Sequence, residues 1–219
     1  MTPSGLFFQE WRDLAKKYNI DDIEIPYMKC IGVNAQRTRE IFYEHYGDKY
    51  DYDVFAKETS RGFHAKYDGG KLPIKTGAVS LLQYLKDSNV KVALASSTRV
   101  GAVTEEIRDA GLSKYFDVII GGDMVEKSKP APDIFLKAAF ELGIAPEEAY
   151  VIEDSFNGIR AAANAGMIPI MVPDLLAPDE EIRGKAAFIF EDLNKVREFF
   201  ETVMQEAAER FEDSPRVAT

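Results

Sequence analysis

Val90-Lys91-Val92-Ala93-Leu94-Ala95-Ser96-Ser97-Thr98 is an apolar run that stops abruptly on three hydroxyls. Apart from Lys91, Val90 to Ala95 is apolar without alternation, as burial on both faces of a parallel sheet requires. The same grammar repeats on either side. A helix over Ala78 to Lys86 leads into this strand, and a helix over Gly101 to Ala110 follows it. A strand at Asp117 to Ile120, a helix at Asp133 to Leu142, a strand at Tyr150 to Ile152, a helix at Asn157 to Ala165 and a strand at Ile168 to Val172 continue the series. A short strand at Ala187 to Ile189 and a helix from Leu193 to Arg210 close it. Strands alternating with helices at this spacing predict an α/β fold, a Rossmann-like parallel sheet covered by helices on both faces.

The first third reads differently. Phe7, Phe8, Trp11, Leu14, Ala15 and Tyr18 recur at helical spacing, so Leu6 to Tyr18 is expected to be an amphipathic helix. Further helices are expected over Ala35 to Tyr46 and Asp53 to Tyr67, with no strand pattern between them. Gly69-Gly70-Lys71-Leu72-Pro73 punctuates the change as a hinge. The expected division is a small helical unit over residues 6–70 and an α/β core over residues 71–211. The polar tail Glu212 to Thr219, with Pro215, is expected to fray.

Composition narrows the function. The chain has 219 residues, 46% of them apolar, enough for one large core or a core with a small insert. Its 37 acidic and 27 basic residues give a formal charge of −10, without a basic run of the kind that phosphate-backbone binding needs, so nucleic acid is not an expected partner. A small anion is not excluded, because a pocket can be positive within an acidic protein. Cys30 is the lone cysteine, which rules out an intrachain disulfide and fits a reducing cytoplasm. No signal peptide and no apolar stretch long enough to span a bilayer is legible, so no membrane association is expected.

Open parallel sheets bind ligands beyond the carboxyl ends of their strands. Three of those ends carry polar clusters. Ser96, Ser97 and Thr98 precede a helix and suit an anion, although one of them could simply cap that helix. Lys129, on the Pro-bounded loop Glu126 to Asp133, can present a compact positive charge to a phosphoryl group, whereas Lys127 reads as solvated. Glu153 and Asp154, followed by Ser155 and Asn157, place hard oxygen donors at a strand end, which suits Mg²⁺, with helix capping as the competing use. The fourth end, Pro173-Asp174, is less informative. His45 and His64 fall in the helical unit and read as structural or exposed.

These clusters resemble, in order and spacing, the second, third and fourth motifs of the haloacid dehalogenase superfamily: Val92 to Ser97, Lys127-Ser-Lys-Pro-Ala-Pro-Asp-Ile-Phe135, and Val151-Ile-Glu-Asp-Ser-Phe-Asn-Gly-Ile159. The group resembled most is the one containing beta-phosphoglucomutase and the small sugar-phosphate phosphatases, whose helical cap corresponds to residues 6–70. The resemblance implies a Mg²⁺-dependent phosphomonoester hydrolase that works through an aspartyl-phosphate on a small phosphorylated metabolite such as a sugar or polyol phosphate. It further implies that Ser96, Ser97 and Lys129 bind the phosphoryl group, that Asp154 ligates Mg²⁺ with Glu153 beside it, and that Thr98 and Asn157 support them.

One departure is large. The family's first motif is a strand ending in Asp-x-Asp-Gly, which carries the nucleophile and the general acid/base. It is missing from this sequence, and Thr2-Pro3-Ser4-Gly5 stands where a linker from it would run. The fold is therefore expected to lack its central first strand, leaving a gap between the strands of the second and fourth motifs and backbone groups without partners. The 219-residue chain is expected to be inactive. A longer parent enzyme is the preferred explanation, and a non-catalytic binding protein of the same lineage is the alternative. A protein that borrows a strand from a partner is a third. A mutase is disfavoured because Phe7 stands four residues before Trp11, where beta-phosphoglucomutases place a histidine.

Overall fold

The computed structural model describes residues 3–212, with side chains from 4 to 209. The tail beyond Glu212, expected to fray, lies outside the described residues. Four helices come first: α1 (Pro3–Tyr18), α2 (Glu24–Cys30), α3 (Ala35–Tyr46) and α4 (Tyr52–Tyr67). Asn34 caps α3 by accepting the Arg37 N–H, and Asp51 caps α4 by accepting those of Asp53 and Val54. Trp11, 2% exposed, is the hub of their shared core. It meets Tyr27 and Phe55 edge-on at 5.1 and 5.2 Å. The short helix α2 was not anticipated from the sequence. Its Pro26 sits in the first turn, where a proline's missing N–H has no intrahelical partner to lose.

The rest alternates: α5 (Ala78–Asp87), β1 (Ala93–Ser96), α6 (Val100–Asp109), β2 (Val118–Gly121), α7 (Asp133–Leu142), β3 (Tyr150–Glu153), α8 (Phe156–Asn164), β4 (Ile168–Met171), α9 (Glu180–Lys185), β5 (Phe188–Ile189) and α10 (Leu193–Glu212). β1 and β2 start later than the apolar runs that predicted them, and α9 was not anticipated. All ladders are parallel, and the fold is the expected α/β, Rossmann-like one.

The sheet is in two pieces. β1 pairs with β2, while β3, β4 and β5 form a separate ladder in that order. The break falls between the strand ending at Ser96 and the strand ending at Glu153, where the sequence leaves a strand unaccounted for. The pieces nevertheless share one layer. On one face Ala93, Ala95 and Ile120 from the first piece pack with Val151 from the second, under Phe135 and Ala138 of α7 and Ala161 and Ala162 of α8. On the other face Val92 packs with Ile152 and Ile170 under Leu81 and Leu85 of α5 and Val196 and Phe200 of α10. Hydrophobic burial on both faces thus holds together two half-sheets that no ladder joins.

Candidate active site

Lys129 sits on the loop before α7 and is only 5% exposed. Its ammonium lies between the two half-sheets. It donates to the Ala95 carbonyl of β1 at 3.4 Å and forms an ion pair with the Glu153 carboxylate at the end of β3. The Phe135 ring lies under it at 4.8 Å. A buried ammonium needs such partners, because desolvating an unpaired charge costs several kcal/mol. Glu153 is held in turn: its second oxygen accepts the Ser155 hydroxyl at 3.0 Å, and Ser155 caps α8 by accepting the Gly158 N–H. A Cβ on residue 158 would push the Glu153 carboxylate away from Lys129 and Ser155, so glycine there keeps the pair in place.

Next to this pair, Asp154 accepts from Lys75 at 2.7 Å. Asp154 and Asp174 line one small recess with Ser4, Ile31, Leu175 and Leu176. The Asp174 Oδ2 is buried there without a hydrogen-bond partner. Ser96 keeps its hydroxyl local, accepting the Thr98 N–H at 3.2 Å, and the Thr98 side chain is exposed.

Two of the expected site residues are engaged in holding the helical unit. Ser97 donates to the Gly32 carbonyl at 2.9 Å, and Asn157 donates to the Ile31 carbonyl at 2.9 Å. The Asn34 N–H donates to Ser128 at 2.8 Å. Two core loops and the first turn of α8 thereby grip the α2–α3 loop. Gly32 makes the grip possible: its φ of +82° is the left-handed region, and a Cβ there would strike the Ser155 hydroxyl. None of this was legible beforehand, since it joins positions far apart in sequence.

Ile31 divides the space. On one side is the recess of Asp154 and Asp174. On the other is a cleft of about 650 Å³ between α2, α3, α8 and the Lys129 loop. Lys129 and Asn157 line this cleft, while Asp154 and Ser96 do not. The residues singled out from sequence therefore gather at one end of the sheet without lining one cavity. The cleft is lined by five cationic side chains, Lys29, Arg37, Lys127, Lys129 and Arg160, against three carboxylates, Glu40, Glu44 and Glu126. Three of the five cations are paired, Arg37 with Glu40 and Glu44, Lys129 with Glu153 and Arg160 with Glu181.

Neither histidine is near this end. His64 pairs with Asp68 at 2.8 Å on exposed α4, and His45, also exposed, stacks edge-on against Tyr46 at 4.5 Å. The sequence's one Asp-x-Asp pair, Asp51 and Asp53, belongs to the start of α4, where Asp51 caps the helix and Asp53 pairs with Arg39. Among the described residues no group of three or more His, Cys, Asp or Glu side chains is placed to hold a metal ion. No described helix is long and apolar enough to cross a membrane.

Cys30 ends α2, and burial pushes its thiol up to about 12 despite a contact with the Thr38 carbonyl. We expect Ellman's reagent at pH 8 to modify it about 100-fold more slowly than a free thiol, with full reactivity in urea. Unfolded, the thiol loses its proton near its ordinary value of 9.0, while the folded chain keeps it to about 12, so this term lowers stability as pH rises through that window. Rapid labelling of the native protein would contradict the burial.

The strand ends of a parallel α/β layer thus carry a buried lysine and two carboxylates, each carboxylate paired with a lysine. Residues 5–172 match the haloacid dehalogenase-like hydrolase family. The chain belongs to that family. It is 32% identical over 171 residues, 76% of this chain and 77% of the relative, to a phosphorylated carbohydrates phosphatase of Thermotoga maritima. It is 36% identical to protein CbbY of Cereibacter sphaeroides over 60% of this chain and 58% of that one. Beta-phosphoglucomutase of Clostridium difficile superposes with a TM-score of 0.75 at 25% identity, covering 95% of this chain and 92% of the other. CbbY of Rhodobacter sphaeroides in complex with phosphate gives 0.70 at 26% identity over 86% and 88%.

Proposed function

We propose that this chain carries the phosphate- and metal-binding half of a Mg²⁺-dependent phosphomonoester hydrolase acting on a small phosphorylated metabolite, a sugar or polyol phosphate. The observation that carries this reading is Lys129, buried at the strand ends against Glu153, within a family of hydrolases. The cleft beside Lys129, which also carries Lys29 and Lys127, and the name of the Thermotoga relative support a phosphorylated carbohydrate as substrate. Residues 6–70 would act as the cap, whose α2–α3 loop closes over the strand ends.

In this reading Lys129 neutralises the transferring phosphoryl group, where charge develops in the transition state. Ser96 donates to one phosphoryl oxygen, and Thr98 and the N–H groups at the start of α6 support it. Asp154 holds Mg²⁺, with Glu153 and Asp174 beside it. The Asp174 oxygen that no described group donates to fits this, since a carboxylate oxygen is a hard donor of the kind Mg²⁺ takes. When bound, the ion would polarise a phosphoryl oxygen. Ser97 and Asn157 act as latches that must release the α2–α3 loop to admit substrate and free product. The chain holds no Asp-x-Asp-Gly to supply a carboxylate nucleophile and an acid/base for the leaving group, so the 219-residue chain is expected to turn nothing over. Phe7 packs edge-on against Phe63 at 5.2 Å, and its apolar ring supplies no acid/base for a mutase.

Mg²⁺ binding by calorimetry tests the metal half without turnover. Asp174→Asn is expected to weaken binding by about 10–100-fold. Lys75→Met should strengthen it, because the Lys75 ammonium now occupies the position at Asp154 that the ion needs. Unchanged affinity in both variants would remove Mg²⁺ from the Asp154 recess. Ser96→Ala should weaken binding of inorganic phosphate in the same instrument, and no effect would remove Ser96 from the anion site. A non-catalytic binding protein is favoured only by the pairing of both lysines with carboxylates, Lys129 with Glu153 and Lys75 with Asp154. That reading expects phosphate binding and no turnover under any complementation.

A further inference from the structure

Ser96, Ser97 and Thr98 stand just before α6, where a hydroxyl commonly caps a helix by accepting one of its first N–H groups. None of them does so here. Ser97 donates to the Gly32 carbonyl, Ser96 accepts the Thr98 N–H, and Arg99, at the cap position itself, makes no side-chain cap bond. The cap comes from a different loop. Asp123, two residues past the end of β2, accepts the Val100 N–H at 2.8 Å through Oδ1. It belongs to a turn that the Met124 N–H closes on the Gly121 carbonyl at 3.0 Å. The backbone of this turn is seated on the β1 loop as well. The Gly122 N–H donates to the Thr98 carbonyl at 2.9 Å. A Cβ on residue 121 would strike the Val100 nitrogen, and one on residue 122 the Ser97 carbonyl, so two adjacent glycines let the turn lie directly against that loop. The β1–β2 ladder ends at Ser96 and Gly121, and the clasp continues it past the strand ends.

We propose that Asp123 is a positioning residue for phosphoryl binding: it caps α6 from the neighbouring loop, fixes the segment from Ser96 to Val100, and so leaves the Ser96 hydroxyl to the ligand. With the cap supplied by Asp123, the Ser96 proton has no acceptor among the described residues and can be donated to an anion. The proposal rests on the phosphoryl-binding role of Ser96 in the proposed function. The Asp123 carboxylate acts in two opposed ways. Its Oδ1 pins the Val100 N–H and with it the entry of the loop into the helix. Its charge sits at the positive end of α6 and opposes an incoming anion. Positioning needs only the oxygen, so an asparagine amide can replace the carboxylate, and an alanine cannot.

The test titrates the 219-residue chain with inorganic phosphate and follows backbone amide shifts by NMR. Saturable shifts are expected at Ser96, Thr98 and Val100 in the parent. Asp123→Ala is expected to weaken phosphate binding about fivefold or more, the equilibrium factor that a lost N-cap bond is worth. Asp123 is solvent-exposed, so its truncation opens no cavity. Asp123→Asn keeps the acceptor and drops the charge, and should bind phosphate as tightly as the parent or more tightly. Asp179→Ala is the control for lost stability alone, because Asp179 caps α9 in the same way, by accepting the Ile182 N–H. Its phosphate affinity should match the parent's. Parent-like binding by Asp123→Ala would overturn the proposal. So would Asp123→Asn binding as weakly as Asp123→Ala, or an equal loss in Asp179→Ala. In each of those three outcomes the parent still binds phosphate at Ser96, and the phosphohydrolase reading stands. A parent without shifts at Ser96, Thr98 and Val100 would overturn the anion site at Ser96 and the positioning role together.

Discussion

Lys129→Met is expected to destabilise the chain by about 3–5 kcal/mol, read as a lower urea midpoint at unchanged slope. The variant keeps the side chain's length and its contact with Phe135 but removes the charge. Glu153, whose side chain is 11% exposed, is then left ionised in a low-dielectric setting with the Ser155 hydroxyl as its remaining partner. It must bear the desolvation or take up a proton, and both cost stability. Glu153→Met should be similarly harmful, for the reciprocal reason. The double variant separates cause from contact. With both charges gone, the site becomes an apolar patch between Ala95 and Phe135, and stability should return to within about 1 kcal/mol of the parent. Additive losses in the double variant would mean that each side chain acts through packing, and the ion pair would not be the element that spans the break.

The second large effect concerns catalysis. The 219-residue chain is expected to show no Mg²⁺-dependent hydrolysis of small phosphomonoesters above background. In-line displacement at phosphorus needs one carboxylate aimed along the bond axis and a second group to manage the leaving group's proton. Glu153 is committed to Lys129, and Asp154 to Lys75. Asp51 and Asp53 are spent on α4. A chain extended by an apolar strand and Asp-x-Asp-Gly would supply both carboxylates. The expected gain is about 10⁶-fold or more, the range in which enzymes exceed the uncatalysed reaction.

The strands were legible because burial on both faces writes itself as continuous apolar runs, as in Val90 to Ala95 and Ile168 to Val172. The gap in the sheet was legible too, since a missing strand leaves its neighbours unpaired wherever they pack. Short elements were not: α2 and α9 are stabilised by tertiary contacts, Tyr27 on Trp11 and Ile182 fully buried, that no local pattern encodes. At the strand ends Lys129 and Glu153 could be named from the sequence but not joined. Ser97 and Asn157 looked like ligand groups because hydroxyls and amides at helix starts usually are caps or anion donors; their use as latches depends on Gly32 arriving from the helical unit. Asp174 drew little attention because Pro173-Asp174 is ordinary loop chemistry. Only burial of its Oδ2 beside Asp154 makes it notable.

A side-by-side assay of phosphate release from a panel of sugar and polyol phosphates with Mg²⁺ bears most directly on the central claim. One arm is the 219-residue chain, the other the same chain extended upstream by the strand and Asp-x-Asp-Gly, each with an Asp154→Ala control. Background rates are expected in the first arm, turnover in the second, and loss of that turnover in the control. Robust hydrolysis by the 219-residue chain that Asp154→Ala abolishes would contradict the claim, because the nucleophile would then lie among residues already committed to ion pairs, helix caps and latches.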